Sequence, residues 1–356
     1  MPDRVLPAMK LNLIVGLSGP ELTPDEQAFL LARQPAGVIL FRRNIDTQDQ
    51  VRRLTDAVTN LLGKDSLILI DEEGGRVQRL RPPAGRALPP AAAYGRLFQQ
   101  NPKAACHTAS LISQLTAHDL RALGINTNCA PVADLRFPGA HDIVGDRAYG
   151  DDVKTVTRLA EVVASGLGKG GVIPILKHIP GHGRAQCDSH LALPVVDVEP
   201  EVLSDTDFAP FSALIRWPAA MTAHVVYTRI DPHAPATVSP IVIQQIIRGE
   251  IGFGGLLLTD DLSMKALSGT IAERAAAALK AGCDIALHCN GRLDEMEAVA
   301  NICEPLTDTA LHRFETALAI TAEASEFDRG AALAQLEELL HQEGTFEPTA
   351  GHDPTA

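Results

Sequence analysis

Aromatic side chains are scarce, 4% of 356 residues with a single tryptophan, which argues against a long groove paved with stacking rings. Cysteine is thin as well. The six residues Cys106, Cys129, Cys187, Cys283, Cys289 and Cys303 form no CxxC pair, and several fall in apolar runs where a reduced, buried thiol belongs. A disulfide framework is therefore not expected. Positive charge is short too: 31 Lys and Arg face 44 Asp and Glu, and the net charge of −13 speaks against a nucleic-acid or anionic-membrane surface. No apolar run nears the ~20 residues that span a bilayer. The opening Met1-Pro-Asp-Arg-Val-Leu-Pro-Ala-Met-Lys10 has no charged-then-apolar leader. These absences lead us to expect a cytoplasmic globular protein with no nucleic-acid or membrane partner. A Gly-rich phosphate loop, a fixed-period repeat and a low-complexity tract are missing as well.

What the chain does have is one dense polar stretch. Lys177-His-Ile-Pro-Gly-His-Gly-Arg-Ala-Gln-Cys-Asp-Ser-His190 follows the apolar run Gly171–Leu176 and gathers three histidines, a lysine and an aspartate. The apolar run reads as a buried strand, so the cluster begins where the strand ends and continues into a loop, where chemistry commonly resides. Three readings compete. A solvated surface loop is the plainest, although charges abutting a buried strand need a partner or a purpose. A divalent-metal site could draw on His178, His182, Asp188 and His190, in a spacing that matches no zinc signature. An acid/base dyad would have Asp188 hold one ring nitrogen of His190 while the other exchanges a proton with substrate.

Strand-like and helix-like segments alternate from end to end. Strand candidates are Leu11–Val15, Gly37–Phe41, Ser66–Ile70, Ile125–Ala130, Val172–Leu176, Ala219–Ala223, Gly255–Thr259 and Asp284–His288. Helical candidates are Pro24–Arg33, Thr47–Leu62, Lys103–Leu123, Asp152–Gly166, Val202–Ile215, Val242–Gly249 and Ile271–Ala281. Arg81–Ala93, rich in Pro and Ala, reads as a loop. Glu304–Glu323 and Arg329–Glu343 read as terminal helices, with a disordered tail over 344–356. Eight βα units predict an α/β protein built as a single-domain (β/α)8 TIM barrel over residues 1–343.

Reactive residues follow most strands: Asp71, Asp134, Lys177 with His178, His224, Asp260 with Asp261, and Asn290. In a barrel these ends converge on one mouth. A rival open sheet would concentrate them at a single crevice. Each Asp alone could be a turn former or helix cap, and Asp261 with Ser263 could be only that. If Asp260 and His190 share a pocket, the set suits glycoside hydrolysis. A carboxylate attacks the anomeric carbon while a protonated group donates to the departing oxygen. Histidine fits the donor role because its ordinary pKa of about 6.5 needs little adjustment.

Taken together, Asp71-Glu-Glu-Gly-Gly-Arg-Val-Gln-Arg79, Gly145-Asp-Arg-Ala-Tyr-Gly150, Lys177-His-Ile-Pro-Gly-His-Gly183, Asp188-Ser-His190 and Thr259-Asp-Asp-Leu-Ser-Met264 resemble the bacterial β-N-acetylglucosaminidases of glycoside hydrolase family 3. Ile39-Leu-Phe-Arg-Arg-Asn44 and Ala234-Pro-Ala-Thr-Val-Ser-Pro240 are smaller echoes. The resemblance implies a barrel that removes a terminal β-linked N-acetylglucosamine with retention. It assigns Asp260 as nucleophile and His190 as acid/base with Asp188 as its dyad partner. It assigns Asp71, Arg79, Arg147, Lys177 and His178 to binding of the sugar. It implies no metal and no cofactor, a monomer, and peptidoglycan fragments such as N-acetylglucosaminyl-anhydro-N-acetylmuramic acid, with or without peptide, as the small-glycan substrate. The linking residues Arg184-Ala-Gln-Cys187 lack the Asp-Thr pair of many members, which bears on loop mobility and not on the matched positions. Two alternatives stay open: phosphorolysis on the same scaffold, in which phosphate resolves the intermediate, and a metal-dependent hydrolase.

Overall fold

The computed structural model describes residues 10–187, 189, 192–322 and 324–343. Its central strands are β1 (Leu11–Gly16), β2 (Pro35–Leu40), β3 (Leu67–Ile70), β4 (Thr127–Asn128), β5 (Ile173–Pro174), β6 (Leu176–Ile179), β7 (Ala219–Thr222), β8 (Leu256–Leu258) and β9 (Ala286–His288). Every expected strand segment overlaps one of them, and the fifth overlaps two, split at Ile175. They form a six-stranded sheet in the order β9-β1-β2-β3-β4-β5 and a three-stranded sheet in the order β8-β7-β6, with parallel pairing throughout. Beyond β8, a parallel bridge joins Leu258 to Ile285, and the Thr259 amide donates to the Ile285 carbonyl at 3.0 Å. The chain is thus an α/β fold with mainly parallel sheets.

Alternation along each strand divides its side chains between two apolar layers. Leu13 and Val15, Val38 and Leu40, Ile68 and Ile70, and Leu257 pack into the layer that includes the helices. Ile14, Ile39, Leu67, Leu69, Ile173, Ile175, Ala219, Met221, Leu256, Leu258, Ile285 and Leu287 meet in one inner cluster. Phe314 and Ala317 of the helix Asp308–Ala319 join that cluster. At β4 side chains reinforce the backbone pairing: Asn126 Oδ1 accepts from the Ile68 amide at 2.8 Å and Asn128 Oδ1 from the Glu72 amide at 3.0 Å.

Helices Pro24–Arg33 and Ile271–Ala281 match their expected bounds, and both begin in capping boxes, Thr23 with Glu26 and Thr270 with Glu273. The expected helix over Val202–Ile215 is two short ones, Pro200–Asp205 and Ala209–Ala213, since Pro210 has no N–H to continue a helical ladder. The stretch expected as a loop to Ala93 turns helical at Ala91. A helix runs from Ala91 to Gln100, with Pro90 as its N-cap and good helix formers behind it. Gly95 in that helix is required by packing: a Cβ there would lie 1.6 Å from the Tyr149 carbonyl oxygen. This close approach seats the loop that carries Arg147. The expected tail from Gly344 lies outside the described residues, as do Asp188 and His190.

Candidate active site

A cavity of about 280 Å3 opens at the C-terminal ends of the strands, and Asp71, Arg147, Lys177, His178 and Asp260 all line it. Asp71 follows β3. Its carboxylate accepts from Lys177 Nζ at 2.8 Å and from Arg79 Nη2 at 3.1 Å. Burial pushes the Asp71 pKa up, but the two cations outweigh it and hold the carboxyl well below its usual range. Arg79 itself has no exposure and is absent from the cavity wall. Its guanidinium donates to Asp71 and lies over the Phe41 ring.

The antiparallel hairpin of Glu72–Gly74 with Val77–Gln78 turns Glu73 toward the same cluster. Arg147 binds Glu73 in a fork, Nε to Oε2 at 2.9 Å and Nη2 to Oε1 at 2.8 Å, and Lys177 Nζ lies 2.7 Å from Glu73 Oε1. Burial opposes ionisation of Glu73, yet Arg147 and Lys177 bring its pKa down to about 2. Burial likewise works against the Lys177 ammonium, which Asp71 and Glu73 hold charged, above its ordinary value. The cluster is an interlocked set of two carboxylates and three cations, so each side chain is fixed by at least one neighbour.

The Lys177–His178 peptide is cis, and both side chains line the cavity. Asp134, fully buried beyond β4, accepts from His178 Nδ1 at 2.7 Å and from the His182 amide at 2.7 Å. Burial raises the Asp134 pKa and His178 reverses this, leaving it lowered. With Nδ1 turned to Asp134, His178 Nε2 lies 3.5 Å from Arg147 Nη2. His182 lies beside it, ring centroids 5.5 Å apart, with Nε2 3.3 Å from Ser189 Oγ. Burial, then the neighbouring His178, pushes the His182 pKa down to about 4.

Across the cavity, Asp260 and Asp261 follow β8 and have different environments. Both line the cavity, and Asp260 Oδ1 accepts the Asp261 amide at 2.8 Å. Asp261 Oδ1 accepts the amides of Ser263 at 3.0 Å and Cys289 at 3.1 Å, and Oδ2 accepts the Ser263 hydroxyl. Asp261 is thereby committed to the turn after the strand. Among the described residues, no group of three or more His, Cys, Asp or Glu comes together to hold a metal ion.

Two supporting carboxylates went unassigned in the sequence. Glu73 sits inside a quoted motif, but its partners are 74 and 104 positions away. Glu72 is buried, accepting the Arg79 and Leu80 amides at 3.0 Å each and Gln78 Nε2 at 2.9 Å, which folds the segment so that Arg79 meets Asp71. Burial raises its pKa to about 7 despite those bonds. No local signal marks either role.

Relatives match most of this chain. The family description "Glycosyl hydrolase family 3 N terminal domain" matches residues 10–319. A β-hexosaminidase of Methylococcus capsulatus is 42% identical over 90% of this chain and 94% of its own length. One of Alkalilimnicola ehrlichii is 39% identical over 83% of this chain and 84% of its own. The structure of NagZ from Neisseria gonorrhoeae in complex with N-trifluoroacetyl-D-glucosamine superposes with a TM-score of 0.82 at 33% identity, covering 93% of this chain and 98% of that one. With residues 10–319 matched and its reactive side chains gathered at one end of a parallel sheet, the chain belongs to glycoside hydrolase family 3.

Proposed function

We propose that this protein is a retaining exo-β-N-acetylglucosaminidase acting on short peptidoglycan fragments such as N-acetylglucosaminyl-anhydro-N-acetylmuramic acid. The observation that carries the reading is the pairing within one small cavity of Asp260 with the fixed cluster Asp71, Lys177, Arg147 and His178. Asp71, Lys177, Arg147 and His178 hold the hydroxyls of one sugar ring, and Arg79 acts by fixing Asp71. The cavity of about 280 Å3 suits one ring rather than a polymer.

Asp260 attacks the anomeric carbon as the bond to the leaving oxygen breaks, and protonated His190 donates its proton to that oxygen. Neutral His190, oriented by Asp188, then takes a proton from water. The water oxygen bonds to the anomeric carbon and Asp260 leaves, so two inversions give net retention. In this reading the strands close into a (β/α)8 barrel through the Leu258–Ile285 bridge, as one domain over residues 1–343. The enzyme works as a cytoplasmic monomer without a metal. No helix among the described residues is long and apolar enough to cross a membrane.

The test is release of 4-nitrophenol from its β-N-acetylglucosaminide, with the β-glucoside alongside. Turnover of the acetamido sugar alone, lost in Asp260→Ala and indifferent to EDTA, is the expected result. Turnover that survives Asp260→Ala, or that a chelator abolishes, would refute it. Running the assay in phosphate buffer also separates hydrolysis from phosphorolysis, which would release a sugar 1-phosphate.

A further inference from the structure

Three fully buried polar side chains form a chain at the end of β7: Thr222, His224 and Thr237, none with any exposure. The Asp260 amide reaches Thr222 Oγ1 at 3.4 Å, Thr222 Oγ1 lies 2.8 Å from Thr237 Oγ1, and Thr237 Oγ1 lies 2.7 Å from His224 Nδ1. His224 Nε2 lies 3.0 Å from the Asp261 carbonyl oxygen. That oxygen can only accept, so Nε2 carries the proton and, in a neutral ring, Nδ1 accepts. Burial, the largest influence on His224, lowers its pKa and keeps the ring neutral. The Thr237 hydroxyl has one proton and two acceptors in reach, His224 Nδ1 at 2.7 Å and the Ala223 carbonyl at 3.1 Å, and the shorter contact is to Nδ1; the Thr222 hydroxyl donates to Thr237.

We infer that Thr222, Thr237 and His224 are positioning residues that clamp the backbone on both sides of Asp260 and so fix the line along which its carboxylate meets the anomeric carbon. This rests on the reading of Asp260 as the nucleophile. Stability alone does not account for the chain, because apolar side chains of similar volume fill a buried site at least as well as a polar network. Both ends of the chain fall on one dipeptide, and both of that dipeptide's side chains line the cavity. Buried groups that orient a reacting side chain commonly alter rate by about tenfold to a hundredfold.

The test compares Thr237→Val, which removes the hydroxyl, with Thr237→Ser, which keeps it. Thr237→Val is expected to lower kcat by about tenfold to a hundredfold with KM changed by less than about twofold, and Thr237→Ser to return kcat to within about threefold of wild type. A kcat within about threefold of wild type in folded Thr237→Val, a KM rise that accounts for the loss, or a folded serine variant that restores nothing would overturn the relay. If Thr237→Val does not fold, Thr222→Val interrupts the chain at the Asp260 amide and must give the same split. A fluoro-sugar trap on wild type separates the two claims. An adduct on another residue sinks the nucleophile and the relay together, whereas an adduct on Asp260 with unchanged kcat in the valine variants sinks the relay alone.

Discussion

Two buried carboxylates, Asp71 and Asp284, sit at opposite ends of the parallel strands, each gripped by two cations. Asp71 is held by Lys177 at 2.8 Å and Arg79 at 3.1 Å; Asp284 is held by Arg248 and Arg313, each at 2.8 Å. A cavity of about 700 Å3 lies beside Asp284, larger than the one of about 280 Å3 beside Asp71. Volume therefore does not mark the site. At Asp284 the polar groups are tied to backbone: it also accepts the Leu257 amide at 2.8 Å, Arg248 donates to the Phe253 and Gly255 carbonyls, and Arg313 donates to Gly254, while Asp284, Arg248 and Arg313 all line the larger cavity. At Asp71 the partners Lys177 and Glu73 link onward to Arg147 and His178, and Arg147, Lys177 and His178 all line the cavity. Both ends line a hole, and what separates them is what the cations meet next: backbone carbonyls at Asp284, and at Asp71 further charged side chains that share their cavity with Asp260.

Matched substitutions break this comparison most directly. Asp71→Asn is expected to lower kcat/KM by about 10²–10³-fold, because it weakens a charged acceptor and frees Lys177. Asp284→Asn should leave kcat/KM within about threefold of wild type while costing about 3–5 kcal/mol of stability by uncoupling a buried pair. Steady-state kinetics and urea unfolding read both, and equal kinetic losses would erase the distinction.

Acid should act on the cavity end first. His182 is depressed from 6.5 to about 4, so the unfolded chain takes up the proton first. Its contribution, of order 3 kcal/mol, is intact above pH 6.5 and is lost as pH falls toward 4. Glu73, depressed from 4.5 to about 2, adds a loss between those values. Urea midpoints measured from pH 8 to 4 should decline below about 6.5, and His182→Asn should flatten the upper part of the slope. A slope unchanged in that variant would contradict the assignment. Asp134→Asn, which loosens the His178 ring, should lower kcat/KM by about tenfold to a hundredfold. The smallest effect is expected for the exposed pair of Arg52 with Asp56: Arg52→Ala should change stability by no more than about 0.5 kcal/mol and kcat/KM not at all.

The strand segments and the residues at their ends were legible because period-two apolar runs and the polar residues that follow them are local signals. So were Asp71 and Asp260, just past a strand, and Lys177, which lies within β6 beyond the apolar run. What stayed hidden depends on contacts between distant segments. Asp134 could be seen to follow a strand, but its grip on His178 spans 44 positions. His224 likewise followed a strand, while its link to Thr237 and the Asp261 carbonyl needs three segments brought together. Arg79 follows the hairpin after β3, and its contact with Asp71 depends on how Glu72 folds that segment, which spacing does not encode. The helix from Ala91 was concealed by the prolines ahead of it, which mark a loop and also a helix start.

The most direct measurement is covalent. A fluoro-sugar analogue of the N-acetylglucosaminide should leave one glycosyl adduct per chain, located by digestion and mass spectrometry on the peptide that carries Asp260, with EDTA present or absent. An adduct on a different carboxylate, or steady turnover by Asp260→Ala with no adduct at all, would contradict the central claim that Asp260 is the nucleophile.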